Sequence, residues 1–277
     1  MKTFTWRRLA LLGVLFCGLN ATMHAAQADL DKVKQAGVLK VAVYKGMAPF
    51  SDKDGGIDVE IANALAEKLG VRVSLLPFEA GENLNDDLRN MVWKGHYLGY
   101  GPADVMMHVP VDSRLMAQNK NVEIFAPYYR ERVRLVRDVR RIPACETVDC
   151  LVGKKVGVEK ISIAAMVLLG EQDGKVRDSV RVYDTAAAAM EALKAGELDA
   201  VLANQSEIET AVRGDAGFPL VELNFPRLPR QGWVVGMAVK HGNAELARAL
   251  QAAANELNAS GELAKIFAKY GVTPTRP

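Results

Sequence analysis

Residues 37–76 read GVLKVAVYKGMAPFSDKDGGIDVEIANALAEKLGVRVSLL, and the order of segments within them decides the fold class. Val38 to Tyr44 is a mostly apolar run of strand length, Ser51 to Gly56 has the Asp and Gly of a turn, and Ile57 to Leu69 carries helical spacing up to Gly70. Val71 to Leu76 then predicts a second strand. Strand, loop, helix and strand in so short a stretch make a βαβ unit. Its strands normally run parallel, and the loop at the carboxyl end of its first strand commonly receives a ligand. The loop 44–55 is therefore the first place to look for binding.

Upstream, Lys2, Arg7 and Arg8 precede the apolar run Leu9 to Leu19, and Ala26-Gln27-Ala28 follows it, the layout of a secretory signal with its cleavage site. A mature chain beginning at Asp29 and a periplasmic location are expected. The apolar run is shorter than the roughly 18 residues that a membrane span needs. Phe16 before Cys17 disfavours a lipid anchor, and the neighbours of Arg7-Arg8 lend little support to a twin-arginine route. Of 35 basic and 33 acidic residues in the 277, three basic ones fall within 1–28. The remainder is near neutrality, and nothing favours nucleic acid or an anionic membrane as a partner. An apolar content of 49% without low-complexity runs suits a globular chain with one large or two modest cores.

Downstream the same grammar repeats. Leu84 to Trp93 has a helical stripe, the loop 95–102 reads GHYLGYGP, and Ala103 to Val109 predicts a strand, Asp112 to Ala117 a short helix and Val122 to Tyr129 a strand. The arginine-rich stretch 130–141 predicts a half-exposed strand with a solvated charged face. A second unit starts near Gly153, with strands over 154–158, 179–183 and 198–203, and helices over 162–169 and from Ala186 to Gly196. The run FPRLPRQ at 225–231 marks a return to the first unit, through a strand over 232–239 and two closing helices over 244–258 and 262–270. Cys145 and Cys150 are most simply a disulfide closing a short loop in an exported chain. A redox pair is disfavoured by the four intervening residues, and half of a metal site by the lack of a nearby Cys or His cluster.

Four stretches in this order carry a family resemblance: the opening run from Leu39, IFAPYYRERVRLV, MEALKAGELDAVLAN, and the closing run from Gly232 to Gly271. Together they resemble the family-3 periplasmic solute-binding proteins that serve ABC importers of amino acids and other small polar solutes. The resemblance implies an α/β fold of two lobes joined by two crossing strands (type II), with solute held in the cleft between them. Lobe 1 would take residues 29–130 and 228–277, and lobe 2 residues 131–227. The family's clamp positions in the first loop fall on Met47 and Phe50, a softer wall than two aromatics. Its Gly and Thr stretch is replaced by Met107-His108-Val109-Pro110, which puts His108 at the cleft, and Arg114 stands near the family's carboxylate-binding arginine. In lobe 2 the family's acidic amine ligand is replaced by Asn204, and Ser162 at a helix start is either a further ligand or a plain cap. The implied cargo is a small polar or anionic solute, and the implied partner is the membrane permease of the importer. ADVMMHVP with APYYRERVRLV also resembles accessory proteins of quinoprotein alcohol dehydrogenases, which would make a periplasmic dehydrogenase or its cytochrome the partner. If Tyr97 and Tyr100 stand outside the cleft, they become candidates for a partner surface.

No G-x-S-x-G, P-loop, G-x-G-x-x-G or H-E-x-x-H pattern occurs, so catalysis, a cofactor and a metal are not expected. His96 and His108 without a third ligand read as satisfied polar residues. A monomer is expected.

Overall fold

A computed structural model describes residues 29–170, 174–275 and 277; the secretory signal expected over 1–28 lies outside the described residues. After helix α1 (29–36), strand β1 (Val38–Tyr44) runs parallel to β2 (Arg72–Phe78), in register from Val38 opposite Arg72 to Tyr44 opposite Phe78. Between them lies α2 (Ile57–Leu69), closed by Gly70 in the left-handed conformation. β1 sits between β2 and β3 (Val105–Pro110), which is why its apolar residues are nearly continuous rather than alternating. The stripe at 84–93 forms α3 (Leu84–Leu88), which widens into a π-helical turn (Arg89–Trp93). Beyond β3, Asp112 caps α4 (Ser113–Gln118), and β4 (Val122–Glu131) follows.

The chain then passes into a second sheet. Strands β5 (Val133–Arg137), β6 (Val156–Glu159), β7 (Val180–Tyr183), β8 (Ala200–Asn204) and the short β9 (Leu220–Val221) are ordered β7-β6-β8-β5-β9. Helices α5 (Ile163–Gly170), α6 (Ala186–Lys194) and α7 (Gln205–Val212) pack on it. The chain returns through β10 (Trp233–Lys240), which lies antiparallel between β3 and β4, and ends in α8 (Ala244–Ala259) and α9 (Glu262–Lys269). The first sheet is thus ordered β2-β1-β3-β10-β4. Apolar clusters cover both faces of each sheet, and Trp233 packs against one cluster in each lobe.

One expectation is corrected. The arginine-rich strand does not present a solvated face: β5 is an inner strand, Leu135 and Val136 are both fully buried, and Arg134 and Arg141 pair with Glu222 and Asp199 at 3.0 Å. The residues after Asn204 form a helix, α7, that apolar periodicity alone did not reveal. Cys145 and Cys150 are joined in a disulfide.

The two crossings set the geometry of the cleft. Trp233 pairs with Glu131 at the end of β4, and a side chain on Gly232, whose φ is +69°, would collide with the Glu131 carbonyl. Only glycine lets the returning strand approach so closely. On the other side, Val133 pairs with Asn204, and the Gln205 N–H donates to the Arg132 carbonyl at 2.7 Å. Glu131 is thereby held beside the start of α7.

Candidate functional site

The loop after β1 folds back on the start of α2. Gly56, at φ +149°, allows this, because a Cβ there would overlap the Phe50 carbonyl. The freed space lets Ile57 N–H donate to Pro49 O at 3.0 Å and Asp58 N–H to Phe50 O at 2.9 Å. The first donors of α2 are thus satisfied by the loop itself. Phe50 is buried, and its ring lies 4.3 Å from that of His108 and 5.4 Å from that of Tyr129.

His108 occupies a left-handed backbone conformation, φ +60°, inside a strand. Its neighbours fix it there. The His108 N–H donates to Tyr128 Oη at 3.0 Å, Tyr128 Oη donates to Asp58 Oδ1 at 2.6 Å, and His108 Nδ1 lies 3.1 Å from Asp58 Oδ2. Asp58 and Tyr128 are buried, and burial beside that carboxylate raises the Tyr128 hydroxyl well above its ordinary range. A non-glycine residue held at such a φ by buried partners is a common mark of a functional position.

Met47, Phe50 and His108 meet Asn204 around one cavity of about 310 Å³ between the lobes. Tyr44, Ala48, Ala80, Leu84 and Pro110 complete the wall from lobe 1, Ser206 and Glu207 face it from lobe 2, and Glu131 and Trp233 close it at the crossing. A smaller hollow of about 130 Å³ adjoins it, sharing Asn204, Glu207 and Trp233 and adding Glu159 and Ser162. Ser162 Oγ accepts from Ala165 N–H at 3.0 Å and donates to Glu159 O at 2.7 Å, so it caps α5 while lining the hollow. Arg114 lies exposed on α4 and lines neither cavity. Asp112 starts a new helix at that point, which takes Arg114 beyond the end of β3.

The charge of the cavity differs from the expectation. Among the described residues no lysine or arginine lines either hollow, whereas three carboxylates do. Glu131 is almost wholly buried and accepts from Ser206 Oγ, from Ser206 N–H at 3.4 Å and from Arg132 N–H at 2.9 Å. Burial raises its carboxyl above the ordinary value, and the bonds from Ser206 only partly offset this. Glu207 forms a capping box with Asn204, whose N–H donates to its Oε2 at 3.0 Å. Burial, reinforced by Glu159 and Glu131, pushes its carboxyl up to about 8. Burial also raises Glu159. An anionic solute would meet these groups with no lysine or arginine beside it, and the His108 ring on the wall already faces Asp58.

Sequence reasoning missed Glu131, Glu207 and Trp233. Glu207 had a signal, since Asn204-Gln205-Ser206-Glu207 is a capping-box pattern. Glu131 was hidden among arginines. Nothing local marks Trp233, whose place depends on strand pairing across about a hundred residues. His96 lies at the other end of β3 from His108 and stacks on Tyr100 at 4.2 Å. Tyr97 and Leu98 are exposed, and the loop 95–102 stands outside the cleft.

Two lobes, two crossings and a solute-sized cavity between them define a two-lobed α/β solute-binding protein. Comparison with known proteins supports this class directly. The chain is 30% identical to the L-arginine-binding protein of Pseudomonas aeruginosa, over 95% of this chain and 96% of that one. It therefore belongs to the family of amino-acid-type solute-binding proteins of ABC transporters. It is also 26% identical to the L-cystine-binding protein TcyJ of Escherichia coli over 98% of this chain and 97% of that one. Among solved structures, the ancestral cationic amino acid solute-binding protein AncCDT-1 shares the fold, with a TM-score of 0.69 at 19% identity over 87% of this chain and 99% of that one. A cyclohexadienyl dehydratase of Pseudomonas aeruginosa is similar over 74 residues only, a quarter of the chain. No family model matches. The relatives named over their full length are binding proteins, and the resemblance to quinoprotein dehydrogenase accessories finds no support among them.

Proposed function

We propose that the chain is the periplasmic receptor of an ABC importer and captures a small, positively charged, nitrogen-bearing solute between its lobes. The observation that carries this reading is the pairing of Glu131 and Glu207 with the apolar walls of Phe50, Met47 and Trp233 in one interlobe cavity. Carboxylates give a cation its counter-charge, and aromatic faces add attraction that grows with desolvation. Of the small polar or anionic solute expected from sequence, the anionic alternative gives way on this ground. Arginine- and cystine-binding relatives agree with a ligand that bears amino groups. The mechanism is closure: the lobes rotate about the crossings at 131–133 and 222–232, and solute bound to both walls stabilises the closed form. The partner is the importer's permease, and binding rather than catalysis is the role. A periplasmic location belongs to the same proposal and agrees with the Cys145–Cys150 disulfide.

The test is a thermal-shift and calorimetric screen of the purified chain against amino acids, amines, carboxylates and sugars. A ligand at a hundred times its Kd stabilises the folded state by about 2.7 kcal/mol, an easily read shift. The proposal expects positively charged solutes to stabilise. A screen in which only anions or sugars do so refutes the solute class.

A further inference from the structure

We propose that the protein has a second binding site, beside the crossings and apart from the interlobe cavity, for a small monocarboxylate with a compact apolar body. Successive residues of an extended chain point to opposite sides. Where β4 passes into β5, Glu131 lines the interlobe cavity, whereas Arg132 lines a separate pocket of about 150 Å³. The two cavities share Trp233 alone. The pocket is bounded by the first crossing at Arg132 and Val133 and by the returning segment from Glu222 to Trp233. A cavity of this order admits a single benzene-sized ring.

Arg132, Arg134 and Arg230 line the pocket, and two of them are already engaged. Arg134 donates to Glu222 Oε2 at 3.0 Å and to the Val133 carbonyl at 3.3 Å, and Arg230 Nε donates to Asn224 Oδ1 at 3.1 Å. Arg132 differs. Its backbone N–H donates to Glu131 Oε1 at 2.9 Å, but among the described residues its half-buried guanidinium has no hydrogen bond or ion pair. Glu146 also lines the pocket, yet it is exposed and pairs with none of the three. Arg132 also stands close enough to Arg134 to add to the burial that holds that guanidinium below its ordinary value, which Glu222 only partly opposes. The pocket thus has a positive charge to spare, on a fork of donors that fits a carboxylate in two parallel bonds. The wall specifies the rest of the ligand. Leu223 and Phe225 are buried in it, and Leu228 and Trp233 pack against the same lobe-2 cluster, so an anion that brings an apolar ring gains burial that a bare inorganic anion does not.

Benzoate, benzamide and sulfate, each titrated into the intact protein and followed by calorimetry and by the Trp233 indole N–H signal in NMR spectra, test this. Benzoate is expected to shift that signal saturably. It should bind more than tenfold tighter than benzamide, which keeps the ring without the charge, and more than tenfold tighter than sulfate, which keeps charge without the ring. Arg132→Gln is expected to weaken benzoate more than tenfold, whereas Glu207→Gln, in the interlobe cavity, should leave it within twofold. Benzamide or sulfate that matches benzoate on the wild-type protein overturns the inference, however well the Arg132 variant folds. Benzoate that does not saturate, or whose affinity survives Arg132→Gln but falls with Glu207→Gln, overturns it too. Because Arg132 lies outside the interlobe cavity, carboxylate binding that Arg132→Gln removes is distinct from capture of the solute between the lobes.

Discussion

Glu207→Gln in the ligand-free protein separates an acid held protonated by its surroundings from an ordinary capping residue. The amide keeps an oxygen to accept the Asn204 N–H, so the capping box survives while the ionisation is removed. The wild-type carboxyl is raised from 4.5 to about 8, and a group whose folded value is raised loses stability as pH climbs toward that value. The loss runs at about 1.4 kcal/mol per pH unit and levels off above the folded value, which caps it near 3 kcal/mol between about pH 6 and pH 9. Glu207 is only half-buried, and solvent screening brings the expected difference to about 2 kcal/mol. Urea melts at both pH values measure it directly, and by thermal melts it corresponds to roughly 5 °C for a chain of this size. On going to pH 9 wild type should lose more stability than Glu207→Gln by about this amount, since the raised Glu131 and Glu159 are common to both proteins. Parallel profiles for the two proteins would show that the carboxyl is not held protonated by its surroundings.

The same group should couple ligand to protons. At pH 7 a carboxyl with this value is about nine-tenths protonated, so a bound cation that ionises it releases up to about one proton, seen as a binding enthalpy that varies with buffer ionisation enthalpy. An enthalpy independent of buffer would exclude this. His108→Gly should be more stable than His108→Ala by about 1 kcal/mol in denaturant melts, because both lose the Asp58 contact but only alanine keeps a Cβ at φ +60°. Equal stability would mean that the backbone relaxes there without strain. Arg114→Ala should leave solute affinity within twofold, since the residue lies outside the cavity, and a tenfold loss would return it to the site.

The scaffold was legible where local rules govern it. The apolar run of β1, the spacing of α2 and its Gly70 stop are all properties of adjacent residues, and Met47, Phe50, His108 and Asn204 do share one cavity. The charge of that cavity was not legible. It depends on Glu131, which reads as one acid among arginines until β4 and β10 are paired and α7 is set against the crossing. Arg114 lies outside the cavity for a related reason: its spacing from β3 resembles the family's, but the Asp112 cap turns the chain into a separate helix first. Ser162 remains ambiguous by nature, since capping α5 and lining the adjoining hollow use the same hydroxyl.

Closure of the lobes on solute is the central claim, and an interlobe distance tests it most directly. Spin labels at Lys53→Cys on lobe 1 and Lys160→Cys on lobe 2 report it, because Cys145 and Cys150 are already joined and do not react. Saturating cationic solute should shorten and narrow the distance distribution, and Glu207→Gln should need a higher concentration to reach the same state. A distribution unchanged by a ligand that binds calorimetrically would contradict closure around the cleft.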